Sequence, residues 1–398
     1  MDKIIFHVDV NSAYLSWEAI YQIQNMNIDY DLRDEISVVG GDRKKRHGVV
    51  LAKSVGAKKY GIVTGESIVS AIRKYPELIV VQPHHEAYAK YSEALMNMLG
   101  EYTPSVEQYS VDEAYMDMTG TEGIHGNLIE LAYKLKDRIY SELGFTVNIG
   151  ISSNKLLAKM AGELKKPNLV HTLFKDEIKN KLWPLPVGEL FFVGKSTERS
   201  LRLLGINTIG ELAKTDRNLL ELHLKKQGVT IHNYANGIDI SEVKSMKSVH
   251  KGYGNAITLP EDIYTIEDAN LILLSLCETV GSRLRLANMK TNCISVSIVD
   301  SKFEKKSHQI TLRHSIWATQ ELYNNACKIF EEVWDGKVKI RQLGVHTTKL
   351  DDENIHQYSL FETKENNKND ELDMAIDKIR NKFGDKAIIR ASLVKVKY

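Results

Sequence analysis

Ser110-Val111-Asp112-Glu113-Ala114-Tyr115-Met116-Asp117 sets two carboxylates side by side within a run of strand-forming residues. Val111 and Tyr115 favour β structure, and Gly120 closes the run. Adjacent strand residues point to opposite faces unless a turn or bulge intervenes. Asp112 and Glu113 are therefore expected at a hairpin turn, where both can converge on one point. A solvated turn satisfies the pair as well as a chemical site does, because Asp is common in turns. What stands beside the hairpin separates the two readings.

The N-terminal run Ile4-Ile5-Phe6-His7-Val8-Asp9-Val10 reads as a buried strand ending in one carboxylate. Asn11-Ser12 supplies an N-cap, and a helix is predicted from Ala13 to Gln24. The free N–H groups of Ser12, Ala13 and Tyr14 attract anions there; alternatively, Asp9 caps the same helix. Further on, a helix is predicted over Glu86–Leu99, with Tyr88, Tyr91, Leu95 and Leu99 on one stripe. The carboxylate hairpin follows, then a helix over Asn127–Leu143 and a strand over Thr146–Ile151. A last helix, Asn154 to about Lys165, carries Lys155, Lys159 and Lys165, with Lys166 just beyond. Strand, helix, two strands, helix, strand describes a ferredoxin-like α+β sheet. In it the first strand lies beside the hairpin, so Asp9, Asp112 and Glu113 share one edge. Three such carboxylates repel unless cations sit among them. The cluster fits two-metal phosphoryl chemistry, and its hard oxygen ligands favour Mg²⁺ over zinc.

Between the first helix and residue 75 lies an insert. Ile36–Gly40, His47–Ala52 and, after it, Leu78–Gln82 read as short strands, and Ser54–Tyr60 as a short helix. From Asp42 to Lys74, nine Lys and Arg residues stand against Asp42 and Glu66. Such a run is either a solvated face or a phosphate contact, and its loop-and-helix placement suits the latter. Gly40-Gly41-Asp42 is read as a glycine turn, since Arg43-Lys44 replace what a cyclase signature needs next. His84-His85 is either a metal pair or a solvated helix start.

The chain has 398 residues, 43% apolar and 26% charged, with a net charge of +1. That length calls for two to four domains, and the charge gives no global pull toward nucleic acid. Cys277, Cys293 and Cys327 lack CxxC spacing, which points to a reducing compartment without a disulfide framework or zinc site. The acidic break after a short apolar start excludes a signal peptide, and no 18-residue apolar run offers a membrane span. A cytoplasmic monomer is expected.

Pro184 and Pro186 mark a boundary. Beyond it, Leu190–Thr197, a helix to Leu204, Gly205-Ile206 and a helix near Gly210–Ala213 resemble a helix-hairpin-helix, although a plain helical bundle also fits. Gly228 and Asn236-Gly237 are read as turns, and Ser241–Lys251 as a basic linker. A second βαββαβ order follows: Lys251–Leu259, Ile266–Ala287, Asn292–Asp300, His308–Arg313, Thr319–Trp334 and Lys339–Thr347. Basic residues, Arg283 and Arg285 among them, outnumber acids there and point to a DNA-backbone face. The tail is predicted as a spacer, Lys364–Asn369, and a helix, Glu371–Phe383, with Leu372, Ile376 and Ile379 on one face.

Three pieces, in order, resemble the Y-family (translesion) DNA polymerases of the DNA polymerase IV/UmuC type. They are His7-Val-Asp-Val-Asn-Ser-Ala-Tyr14, Tyr109-Ser-Val-Asp-Glu-Ala-Tyr115, and Gly150–Lys159 with Lys166-Pro167-Asn168. The likeness covers nearly the whole chain. It implies a ferredoxin-like palm (1–12 and 75–175), fingers (13–74) and a helix-hairpin-helix thumb (176–240). A linker (241–250), a βαββαβ little finger (251–350) and a tail (351–398) complete it. It further implies a template-directed DNA polymerase of damage tolerance, acting on primer-template DNA and dNTP with two Mg²⁺. By the same resemblance, Asp9, Asp112 and Glu113 match the metal-binding carboxylates, and Val10 matches a carbonyl ligand. Ser12, Ala13, Lys58 and Lys166 match the nucleotide contacts, and Tyr14 matches the steric gate against ribose. Gly194, Lys195, Lys251, Arg283 and Arg285 fall to DNA.

The family usually grips the phosphates with a Tyr and an Arg three apart, where this chain has Val55 and Lys58. Ala52 replaces a common Ser or Thr, and Asn11 a frequently acidic residue. Lys58 is a point donor without the guanidinium fork, and Lys53 stands by to compensate. Gln357-Tyr-Ser-Leu-Phe361 resembles the bacterial sliding-clamp motif, with Gln357, Leu360 and Phe361 as its anchors; a chance pentapeptide in a linker is the alternative. The altered fingers also allow an inactive, DNA-binding accessory protein, and a nucleotide cyclase is a more distant reading.

Overall fold

The computed structural model describes residues 3–26, 28–41, 48–245, 250–352 and 364–394. Two compact units emerge, Met1–Gly41 with Val49–Lys247, and Ser248–Tyr398. Among the described residues no helix is long and apolar enough to cross a membrane.

The first unit is built on β1 (Ile5–Val10), every residue of which is buried. A strand covered on both faces reads as a near-continuous apolar run, which is how it stood in the sequence. Helix α1 (Ala13–Asn25) follows. The insert reaches past the expected boundary at residue 75: its β2 (Ser37–Gly40) and β3 (Val50–Lys53) form a small sheet with β4 (Ile79–Val81), ordered β3-β2-β4, in which β4 pairs in parallel with β2. It carries α2 (Val55–Lys59) and α3 (Ile68–Lys74), whose N-termini are closed by the hydroxyls of Ser54 and Ser67. The chain then returns through α4 (His85–Gly100), β5 (Val106–Gln108), β6 (Glu113–Asp117), α5 (Glu122–His125), α6 (Leu128–Leu143) and β7 (Val147–Ser152). Helix α7 (Lys155–Glu163) and β8 (Val170–Thr172) complete the sheet, ordered β5-β6-β1-β7-β8.

This is the expected ferredoxin-like order, extended by β8, a three-residue strand too short to show a period. Helix α7 lies close on the sheet because Gly150 has no side chain. A Cβ there would meet the Ala158 carbonyl at 1.9 Å.

The helical part holds α8 (Lys195–Leu203), α9 (Ile209–Lys214), α10 (Arg217–Leu224) and α11 (Lys226–Ala235) around Leu201, Ile209, Leu212, Leu220 and Ile231. Gly228 is not a turn. It sits inside α11, where a Cβ would stand 2.2 Å from the Leu220 carbonyl, so it lets α10 and α11 touch. Gly237, with φ of +70°, is the turn glycine.

The second unit runs β9 (Gly252–Ile263), α12 (Ile266–Leu286), β10 (Met289–Asp300), β11 (Lys305–Ile316), α13 (Thr319–Val333) and β12 (Ile340–Asp352). The βαββαβ element order holds, but the strand order is β11-β10-β12-β9, unlike the first sheet. Element order alone does not fix which strand returns to the middle.

Helix α14 (Lys364–Phe383) already begins where a spacer is predicted. Its predicted apolar stripe does not anchor it: Leu372 is 55% and Ile379 39% exposed. Asp373 anchors it, 4% exposed, accepting from the Thr319 N–H at 2.7 Å and thus capping α13. Arg285 pairs with Asp373 at 3.2 Å and with Asp377 at 2.6 Å, its side chain 5% exposed. Gly281 leaves room for the guanidinium, which a Cβ would meet at 2.9 Å. Arg285 is therefore consumed within the unit, not presented to DNA as the sequence led one to expect. Asp373→Ala removes a cap and leaves a buried guanidinium short of a partner, a loss of about 3 kcal/mol. Faster amide exchange along 368–394 with the sheet amides unchanged is the expected readout.

Candidate active site

Strand β1 ends beside the hairpin as predicted. Asp9 faces Glu113 directly across the β1–β6 ladder, and His7 faces Tyr115. The Val10 N–H donates to the Asp112 carbonyl at 3.1 Å, tying the turn to the strand. Ser110 Oγ donates to Asp112 Oδ1 at 2.6 Å. Asp9, Asp112 and Glu113 thus stand together at the C-terminal end of β1.

Each has a fixed neighbour. Lys166 Nζ donates to Asp9 Oδ2 and, at 2.8 Å, to Glu163 Oε1. Lys159 Nζ donates to Glu113 Oε2 at 2.8 Å. Burial pushes the Asp9 carboxyl above its usual range, and Lys166 offsets this only partly. Burial also pushes Glu113 up, but contact with His7 and the Lys159 ammonium outweigh it and hold it at about 2. For Lys166, burial lowers the ammonium, and Asp9 and Glu163 more than reverse it.

His7 was absent from the sequence-derived set. It is fully buried, and its Nε2 lies 3.5 Å from Glu113 Oε2, too long for a good hydrogen bond. Burial lowers its pKa, so the ring is neutral. The signal lay in its spacing: two residues before Asp9 is the same strand face. Lys159 was on the predicted helix, but only the close approach of α7 puts it on Glu113.

A cavity of about 630 Å³ opens at this end of β1. Asp9, Val10, Ser12, Ala13, Tyr14, Asp112 and Lys166 form one wall; Lys53, Val55 and Lys58 form another. Ser12 does not cap α1 by its side chain, contrary to the reading of Asn11-Ser12; it is left-handed, with φ of +47°. Asn11 is buried instead, donating to Asn148 Oδ1 at 3.1 Å and accepting from the Asn168 N–H at 2.9 Å. Those bonds hold the 166–168 loop against the strand. The Tyr14 ring stacks on Tyr88 at 5.1 Å and meets His85 edge-on at 5.9 Å. His84 and His85 stand at the start of α4, as one of their two readings had it, with the His84 side chain 39% exposed and His85 exposed; His84 Nδ1 also contacts Glu18 Oε1 at 3.0 Å. Val55 is 64% exposed and contributes no polar atom. Burial, and then Lys58, lower the Lys53 ammonium, and Glu66 offsets this only partly.

Gly194 and Lys195 are exposed at the start of α8. Lys251 and Arg283 are exposed on the second unit, Arg283 donating to the Gly254 carbonyl at 2.8 Å. Gln357, Leu360 and Phe361 lie outside the described residues.

Sequence profiles of the impB/mucB/samB family, its HHH motif and its C-terminal domain match residues 8–163, 175–206 and 250–360. DNA polymerase IV of Clostridium acetobutylicum is 49% identical over 395 residues, 99% of each chain. DNA polymerase IV 2 of Bacillus subtilis is 37% identical over 98% of this chain and 94% of its own length. A solved Y-family DNA polymerase chimera shares the fold with a TM-score of 0.76 at 24% identity, covering 87% of this chain and 99% of its own. With full-length relatives at this identity, the chain belongs to the impB/mucB/samB family, the Y-family DNA polymerases.

Proposed function

We propose that this Y-family polymerase extends a primer 3′-hydroxyl with dNTP on a template, releases pyrophosphate, and serves bypass of damaged bases. The observation that carries this is the pair Asp9 and Asp112 at the wall of a cavity whose other wall is lysine-rich, with Glu113 facing Asp9 across the β1–β6 ladder.

Among the described residues, no three acidic, histidine or cysteine side chains already close on one point as metal ligands. The donors at this end of β1 are nevertheless all hard oxygens: three carboxylates and the Val10 carbonyl. They fit Mg²⁺, two ions of which would be held by Asp9, Asp112, Glu113 and Val10. Bound there, the ions supply a lowered hydroxyl pKa and charge neutralisation at the triphosphate. The N–H groups of Ser12, Ala13 and Tyr14 at the start of α1 orient the phosphates. Lys58 and Lys166 add positive charge, and Lys53 joins them in place of the missing Tyr–Arg pair. Tyr14 lies where the sugar would rest. The insert has little to press on a nascent base pair: strands of three or four residues and helices of five and seven. That economy supports damage bypass. Gly194, Lys195, Lys251 and Arg283 grip the DNA backbone without reading bases.

Primer extension with Mg²⁺ on undamaged and abasic templates tests the proposal. Extension on both is expected; primer-template binding without incorporation would overturn it. Lys53→Ala and Lys58→Ala should each raise the dNTP KM roughly ten-fold, the worth of one charged contact. The 357–361 segment is proposed to dock a sliding clamp, the protein itself acting as a cytoplasmic monomer. Leu360→Ala with Phe361→Ala should weaken clamp binding about 100-fold in titration, since two apolar anchors leave their pocket.

A further inference from the structure

Beneath the cavity lies a carboxylate that no step of the proposed reaction uses. Glu18, on α1, is fully buried. Tyr88 Oη donates to its Oε2 at 2.5 Å, and Gln22 Nε2 donates to its Oε1 at 2.7 Å. His84 Nδ1 lies 3.0 and 3.1 Å from its two oxygens. An isolated buried carboxylate is costly, and here three side chains from α1 and the start of α4 surround it.

The bond to Tyr88 has a consequence at the cavity. Tyr88 is 1% exposed, with Trp17 against one side at 6.0 Å and Tyr14 stacked on its face, the planes 23° apart. Burial and Glu18 push the Tyr88 phenol up, so it stays a donor. Of these rings, Tyr14 alone reaches the cavity wall. Tyr14 and Glu18 are four apart on one helix and so lie on the same face. Glu18 thus clamps the outer edge of the ring on which Tyr14 rests.

We infer that Glu18 is a positioning residue for sugar selection, fixing the Tyr88 phenol so that the Tyr88 ring is an unyielding floor beneath Tyr14. The inference rests on Tyr14 being the residue that meets the sugar. Rejecting one hydroxyl depends on displacements of a few tenths of an ångström, which a loosened floor would grant.

The test compares kcat/KM for dCTP and rCTP opposite template dG in the full-length enzyme. Tyr88→Phe keeps the ring and removes only the hydroxyl; Glu18→Gln keeps the shape and alters the acceptor. Each should lower the dCTP/rCTP ratio about five-fold, the worth of one hydrogen bond. The change should come through rCTP, with the dCTP KM held. The double variant should fall no further than Tyr88→Phe alone, because both changes act on the same bond. A ratio unchanged in Tyr88→Phe, while Tyr14→Ala collapses it, would make Glu18 a packing residue and overturn the inference alone. A ratio unchanged in Tyr14→Ala would overturn the gate reading and the inference together. Because Tyr88→Phe leaves the core volume intact, a Glu18→Gln protein that fails to fold still leaves the inference decidable.

Discussion

Asp112→Ala lowers primer extension on the order of 10³-fold or more while leaving the fold in place. The hairpin does not depend on the carboxylate. Tyr109 N–H and Ser110 N–H donate to the Glu113 carbonyl at 2.9 and 3.2 Å, and Val10 N–H to the Asp112 carbonyl at 3.1 Å. All of these bonds are backbone and survive truncation. What is lost is an oxygen donor at the cavity wall that Asp9 also lines, where charge would build in the proposed reaction. Stabilisation of that charge is worth several kcal/mol, and each 1.36 kcal/mol is a factor of ten. Single-turnover extension with Mg²⁺ measures the loss, and thermal unfolding within about 1 kcal/mol of the parent shows that it is not a folding defect. An Asp112→Ala protein that extends like the parent would remove this site from the mechanism.

The carboxylates were legible in the sequence because two local facts sufficed. A strand ending in Asp9 and a hairpin interrupted at Asp112-Glu113 fall together once the βαββαβ order is recognised, and the Asp9–Glu113 register bears this out. Long-range contacts between side chains were not legible. Lys159 reaches Glu113 because Gly150 lets α7 down onto the sheet, and nothing in either residue's neighbourhood announces the pairing. Arg285 illustrates the opposite error. In a basic stretch it reads as a phosphate contact, yet its partners Asp373 and Asp377 lie about 90 residues on, with |i−j| of 88 and 92. The α14 stripe failed for a related reason: the helix seats by charge, so periodicity of its apolar residues marks the wrong face. Composition shows how many cations a segment carries but not which are already paired.

Tyr14→Ala admits ribonucleotides. The ring occupies the cavity wall between the start of α1 and the lysines of the insert. It cannot swing away easily, since Tyr88 stacks under it at 5.1 Å, Trp17 packs at 6.2 Å and His85 closes the edge at 5.9 Å. A 2′-hydroxyl pressed against such a ring both clashes and loses its water, and burying a hydroxyl without a partner costs about 1–3 kcal/mol before any steric term. Removing the ring should therefore cut discrimination between dNTP and rNTP on the order of 100-fold. The gain is expected in kcat/KM for rNTP. The dNTP value should fall only a few-fold, from lost stacking under the sugar. The buried layer below remains, with Trp17 and Tyr88 at 0% and 1% exposure, so the helix has no cause to unwind. Sugar selection left unchanged by Tyr14→Ala, in an enzyme that still extends with dNTP, would mean that another wall of the cavity reads the ribose.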